Sequence, residues 1–383
     1  MRVLHTSDWH LGRSLGEHKL IEQQALFADW LVEAVRREGV DVVVVSGDLF
    51  DRSLPPTDAW ELLCDSFGRL RAEGAIVAAI AGNHDSAARI AATAGITDLA
   101  GIHMRGGFGG TAVTHLQVGE ETLSLVLVPY LNPHMAPEEL AGELRGDGQS
   151  ITHERLIAHD LDRARSRLRE GTPSLVLAHA FVTGAAPSDS ERELAVGDAG
   201  MVSASVFGGF DYVALGHLHR PQEVAGSPSI RYSGSPLPYS FSERVPKSVV
   251  LAEFSAGTLR SVEQVPIDVG RGVATVRGTL EELESGVGNR RDWVRAELTD
   301  ELRPIDPAKR LRANHPHLAE VHWVGVGARP EFGLSAKGAA LRSPMELISE
   351  FWRDVRGEEP SDAVLDVLDV ALAELERGAE EAA

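Results

Sequence analysis

Over the first 220 residues, short apolar runs alternate with stretches whose apolar residues recur every three or four positions. This is the pattern of strands alternating with amphipathic helices in a layered α/β protein. Val42 to Val45 is an unbroken β-branched run and predicts a buried strand. Trp60, Leu63, Phe67 and Leu70 fall at helical spacing before Gly74, and Leu26, Trp30, Leu31, Ala34 and Val35 do the same before Gly39. Ala112 to Val118 and Thr122 to Val128, joined at Gly119 and Glu120, predict a hairpin. The segment Ile230 to Glu243, rich in Ser, Pro and Gly, interrupts the alternation; Ser248 to Glu253 resumes it, and the pattern changes near Pro266. From Gly272 to about Val326 the chain reads as a small α/β unit. Its strands are expected around Val273 to Val276, Trp293 to Leu298 and Ala319 to Val326, and its helices over Leu280 to Leu283 and Pro307 to Ala313. Ser343, Pro344, Met345 and Glu346 then combine an N-cap serine, a proline at the first helical position and a capping-box glutamate. Met345, Ile348, Trp352 and Val355 share one face of that helix, and Val364, Leu368, Ala371 and Leu375 share one face of a second after Pro360. Such faces suit packing on the body or docking in a partner's groove.

Composition changes this picture little and charge changes it more. Among 383 residues, 43% are apolar and 25% charged, the ordinary globular mix. Cys64, the single cysteine, cannot form an internal disulfide and is expected to pack in the core beside Leu63 and Phe67. No apolar stretch approaches the ~20 residues of a membrane span, and the first strand begins at Arg2 and leads at once to Asp8, so a cytoplasmic protein is expected. The net charge of −20 argues against a protein that grips nucleic acid unaided. Part of that excess is local, since Glu346 to Glu381 holds 12 acidic and 3 basic residues, a net of −9.

Five strand-like runs each end in a polar cluster. Arg2 to Thr6 leads to Asp8 and His10, Val42 to Val45 to Asp48, and Ile76 to Ala81 to Asn83, His84 and Asp85. Leu175 to Ala178 leads to His179, and Tyr212 to Leu215 to His217 and His219. Ligands of open α/β sheets gather beyond the carboxyl ends of the strands, so these clusters converge if the strands share a direction. Carboxylate, amide and imidazole donors suit manganese, iron or zinc. Two such cations generate a nucleophile and stabilise charge on phosphorus during in-line attack. Asp48, alone in its cluster beside Gly47, is the candidate to bridge them. Asp51 is read as an outer partner or a loop cap, and Arg13, His18 and Arg52 as solvated loop residues within reach of substrate. The remaining histidines, among them His5, His153 and His315, are read as structural or surface.

Asp8/His10, Gly47-Asp48, Gly82-Asn83-His84-Asp85, His179 and Gly216-His217-Leu218-His219 occur in the order used by the calcineurin-like metallophosphoesterase superfamily, which the chain resembles. The opening Met1 to Gly12, Gly47 to Arg52 with Pro55-Pro56, Ile230 to Pro236 and Ser240-Phe241-Ser242-Glu243 are similar to the SbcD family of bacterial nuclease subunits. The resemblance implies a layered β-sandwich flanked by helices over residues 1–265, a small α/β capping domain over 266–335 and a helical tail over 336–383 that docks on an SbcC-type ATPase. It implies one cation, with Mn2+ the preferred ion, on Asp8, His10, Asp48 and His219, and a second on Asp48, Asn83, His179 and His217. His84 would protonate or steady the leaving oxygen, with Asp85 orienting its ring. The implied activity is exonucleolytic on duplex DNA ends and endonucleolytic on single strands and hairpins, in DNA repair, recombination and replication, by a homodimer within a heterotetramer. No Gly-x-x-x-x-Gly-Lys-Ser/Thr loop is present, so ATP hydrolysis falls to the partner. The competing readings are a stand-alone phosphodiesterase or nucleotidase for small substrates and a non-catalytic scaffold.

Overall fold

The computed structural model describes residues 1–144, 150–191, 200–286 and 288–324, with Ser349, Trp352, Pro360, Ser361, Val364, Leu365, Val367 and Leu368 beyond them. Met1–Gly325 form one unit and Val326–Ala383 a second. The helices expected from Ser343 and after Pro360 lie largely outside the described residues; Ser349, Trp352, Val364, Leu365, Val367 and Leu368 are helical.

Two six-stranded sheets carry the first unit. The first runs Thr258–Pro266, Ser248–Ser255, Arg2–Thr6, Val42–Val45, Ile76–Ile80, Ile102–Arg105, with the last four strands parallel and the first two antiparallel. The second runs Gln222–Val224, Ser227–Tyr232, Tyr212–Gly216, Ser174–His179, Glu121–Val128, Ala112–Val118. Its four central strands are parallel, and its last two form the expected hairpin.

The sheets pack face to face, and the two-residue period of the strands sorts side chains between layers. Val42 and Val44 join Val3, Leu125, Leu127, Leu175 and Leu177 between the sheets, whereas Val43 and Val45 point outward to meet the helices Ile21–Glu38 and Thr57–Ala72. A third core lies outside the second sheet, where Ile157 and Leu161 of the helix His153–Arg165 cover Val176, Val213 and Leu215. The result is a helix, sheet, sheet, helix layering.

Two expectations about helix faces need correction. Cys64 is exposed, because it is rotated about 100° from its neighbour Leu63, while Ala59, Leu63, Ser66, Phe67 and Leu70 form the buried stripe. Leu26 is 46% exposed, since Phe27, Trp30, Leu31, Ala34 and Val35 define the inner face of its helix.

The small unit is a three-stranded parallel sheet of Val273–Gly278, Trp293–Leu298 and Leu318–Trp323. Its helices are Leu280–Ser285, opened by a Thr279/Glu282 capping box, and Pro307–Leu311. Leu280, Val294, Ala296, Leu298, Leu311 and Leu318 make its own core. A seam of Leu15, Leu20, Leu237, Tyr239, Phe241 and Trp293 joins it to the body.

Candidate metal centre

The loops that follow the parallel strands are stitched to one another by backbone bonds. Asp8 N–H donates to the Gly47 carbonyl and His10 N–H to the Asp48 carbonyl, each at 3.0 Å. The Asp85 carboxylate accepts from the N–H groups of Leu49 (3.1 Å), Phe50 (2.9 Å) and Gly82 (2.8 Å), tying the second loop to the third. His217 N–H donates to Asp8 Oδ1 at 3.0 Å and so links the two sheets. Asp8, His10, Asp48 and His217 all have positive φ, at 54°, 45°, 49° and 110°. Left-handed backbone costs of order 1–3 kcal/mol per non-glycine residue and persists where the surroundings over-determine it. The glycines beside these residues make room for them: Gly47 has φ 92°, and a Cβ on Gly82 would collide with the Asp48 carboxylate.

Into this frame the candidate side chains converge. Asp48 Oδ2 lies 3.5 Å from His179 Nε2, 3.6 Å from His10 Nε2 and 4.0 Å from His84 Nε2. His10 Nε2 faces His219 Nε2 at 3.0 Å, and Asn83 Oδ1 is 2.8 Å from His179 Nε2. The His217 ring stands edge-on to His179, 5.4 Å between centroids. Asp8 takes a hydrogen bond from Ser7 Oγ at 2.6 Å. Asp8, His10, Asp48, His179, His217 and His219 are each at most 4% exposed.

Burial and mutual charge set the protonation of this cluster. Burial pushes Asp8 up to about 6 and holds His10 and His217 well below the usual histidine range. Burial opposes charge on Asp48 and His179 as well, but their attraction wins, keeping Asp48 well below its ordinary value and His179 up at about 9. Three sets, Asp8/His10/His219, His10/Asp48/His84 and Asp8/Asp48/His179, have donor atoms within 4.8 Å of one another. Two imidazole nitrogens 3.0 Å apart repel unless a proton or cation lies between them, and buried His10 Nδ1 has no hydrogen-bond partner among the described residues, the Asp51 carboxylate standing 3.8 Å away. Oxygen and imidazole donors without thiolate fit divalent manganese, iron or zinc.

All seven residues read as ligand candidates, and His84, therefore meet at one place. Asp85 does so in a different part: the carboxylate expected to orient His84 binds three backbone N–H groups, and His84 Nδ1 instead bonds the Asp51 carbonyl oxygen at 2.7 Å. His18 is not a solvated loop residue, because Nε2 bonds the Leu318 carbonyl at 2.9 Å and the ring lies 4.8 Å from that of Trp293 in the small unit. Arg13 lies at the rim, 3.4 Å from Asp51 and with its guanidinium over the Tyr239 ring at 5.0 Å, whereas the Arg52 side chain is 65% exposed. Tyr239 escaped the sequence reading, although its ring packs edge-on to both His10 and His219. Ser190, Glu243 and Lys247 escaped it too. The only signal was the Ser240 to Glu243 segment, which carries no donor pattern by itself.

Residues 1–221 match the family model described as calcineurin-like phosphoesterase, and residues 269–356 match one described as type 5 capsule protein repressor C-terminal domain. The chain is 34% identical over 337 residues to the SbcD subunit of the SbcCD nuclease of Bacillus subtilis (strain 168), covering 85% of this chain and 86% of that one. It is 31% identical over 329 residues to the protein of the same name from Escherichia coli (strain K12), covering 82% of each. A dimetal phosphatase from Danio rerio gives a TM-score of 0.42 at 15% identity over 70% of this chain and 99% of that one, a likeness too slight to bear on the site. The chain belongs to the calcineurin-like phosphoesterases and, within them, to the family of SbcD nuclease subunits.

Proposed function

We propose that the chain is a metal-dependent nuclease that hydrolyses phosphodiester bonds in DNA together with an SbcC-type ATPase. The observation that carries this is the Asp48 carboxylate, whose Oδ2 sits among three imidazoles supplied by both sheets. In this reading Asp8, His10, Asp48 and His219 hold one cation and Asp48, Asn83, His179 and His217 the other, with Asp48 shared and Mn2+ the preferred ion. When bound, the two cations supply an activated water and neutralise charge building on phosphorus.

The remaining work falls to the chain's own groups. His84 donates from Nδ1 to the Asp51 carbonyl, which leaves Nε2 facing the site to carry a proton to the leaving oxygen or steady its charge. Asp85 keeps the loop bearing Asp48 in register with the loop bearing Asn83 and His84. The names of the two relatives favour a nucleic acid over small esters. In the proposed reading that nucleic acid is DNA, cut exonucleolytically at duplex ends and endonucleolytically in single strands and hairpins, in repair, recombination and replication in the cytoplasm. Residues 1–265 would form the nuclease body, 266–335 a cap bordering the DNA, and 336–383 the tail that docks on the ATPase, in a homodimer bound to two partner chains. A partner that supplies much of the basic DNA surface reconciles this with a net charge of −20.

The test is cleavage of labelled single- and double-stranded DNA with Mn2+ by the wild type, Asp48→Ala and His84→Ala. Asp48→Ala is expected to abolish cutting, and His84→Ala to slow it by about 10²–10⁴-fold while metal still binds. Hydrolysis of small phosphodiesters with no DNA cleavage, even with the ATPase and ATP, would move the reading to a stand-alone phosphodiesterase.

A further inference from the structure

The segment Ile230 to Glu243 has no part in the hydrolytic reading so far, yet its last residue lies directly behind a ligand candidate. Glu243 is 3% exposed and Lys247 7%. Lys247 Nζ bonds Glu243 Oε2 and donates to Ser235 Oγ at 2.8 Å and to the His219 carbonyl at 3.0 Å. Tyr239 N–H donates to Glu243 Oε1 at 3.2 Å, so the carboxylate is fixed from several sides. Ser190 Oγ lies 2.5 Å from Glu243 Oε1 and 2.6 Å from His219 Nδ1.

A serine hydroxyl has a single proton, and an ionised carboxylate only accepts. The proton therefore points to Glu243, and toward His219 the serine oxygen must accept. That assigns the ring hydrogen of His219 to Nδ1 and leaves a lone pair on Nε2, the atom that faces His10. Glu191 Oε1, accepting the His219 N–H at 2.7 Å, pins the backbone of the same residue.

We propose that Glu243 and Ser190 are positioning residues for His219, a relay that presets its tautomer and aim for one of the two cations. This rests on the dimetal reading above. Neither side chain touches reacting atoms, so the effect belongs to metal affinity before it belongs to turnover. Outer partners of this kind are typically worth about 10–100-fold in metal affinity.

The experiment is Mn2+ titration of the full chain, with free ion read by electron paramagnetic resonance, for wild type, Ser190→Ala, Ser190→Thr and Glu243→Gln. Ser190→Ala and Glu243→Gln are expected to weaken one of two sites by about 10–100-fold. Ser190→Thr, which keeps the hydroxyl, restores it. Without metal, Ser190→Ala should still unfold in a single cooperative transition, at a midpoint lowered no more than the loss of a buried hydrogen bond accounts for, which separates a loosened ligand from a misfolded chain. Wild-type affinity at both sites in Ser190→Ala overturns the proposal, and so does equal weakening of both, because the relay touches one ligand only. If the wild type itself fails to bind two ions, the dimetal reading falls and takes the relay with it.

Discussion

His5 illustrates what a buried titratable ring does to stability. Its two ring nitrogens are taken by the Tyr212 hydroxyl at 3.0 Å and the Leu215 carbonyl at 3.1 Å, and burial lowers its pKa to about 3. Below the ordinary histidine value of 6.5 the unfolded chain takes up a proton that the native state refuses. Stability is therefore fully present above pH 6.5 and falls as pH drops toward 3, by up to about 1.4 kcal/mol per unit. His5→Gln keeps a donor and an acceptor but cannot titrate, so it should lose less stability than wild type between pH 7 and 5 in urea denaturation; equal losses would assign the titration elsewhere. Asp85 makes a different kind of contribution. Asp85→Ala leaves the buried N–H groups of Leu49, Phe50 and Gly82 without an acceptor and should cost at least about 1–3 kcal/mol, whereas Asp85→Asn retains one accepting oxygen and should cost less. Urea midpoints of the two variants check the order.

Among the elements, the helix Ile21–Glu38 separates burial from mere apolarity. Leu31 is fully buried and Leu31→Ala should cost about 2–5 kcal/mol. Leu26, 46% exposed, should change stability by no more than about 0.5 kcal/mol when replaced by alanine, and thermal or urea unfolding of the pair measures the contrast. This is also where the limits of the sequence are visible. Val42–Val45, the Ala112–Val118 hairpin strand and the strands of the small unit were legible because an apolar run must be buried and a two-residue loop must turn. The ligand candidates were legible because each follows such a run. Which of two adjacent apolar residues on a helix faces inward was not, since 100° of rotation separates Leu63 from Cys64 and the partner layer decides between them. Nor was the edge strand Thr258–Pro266, whose residues are all at least partly exposed and leave no unbroken apolar run. The relay of Ser190, Glu243 and His219 joins residues 53 and 29 positions apart, and nothing local announces it.

At the scale of the whole molecule, the candidate ligands come from both sheets, Asp8, His10, Asp48 and Asn83 from one and His179, His217 and His219 from the other. Metal should therefore favour the state in which the sheets are packed. A 100-fold excess of Mn2+ over its dissociation constant is expected to add about 2.7 kcal/mol; calorimetry with and without chelator measures it, and an unchanged midpoint would mean that the ion does not need the two sheets together. The seam beneath the small unit carries a further consequence, for transplantation. Trp293 belongs to that unit, but its companions Leu15 and Leu20 follow the first ligand loop, and Leu237, Tyr239 and Phe241 precede Glu243. Tyr239 in turn packs on His10 and His219. A graft cut cleanly at residue 267 would bring a foreign face down on a native seam, so the exchangeable module is discontinuous: it takes in residues 15–20 and 235–247 as well, and its inner edge is the candidate metal centre itself.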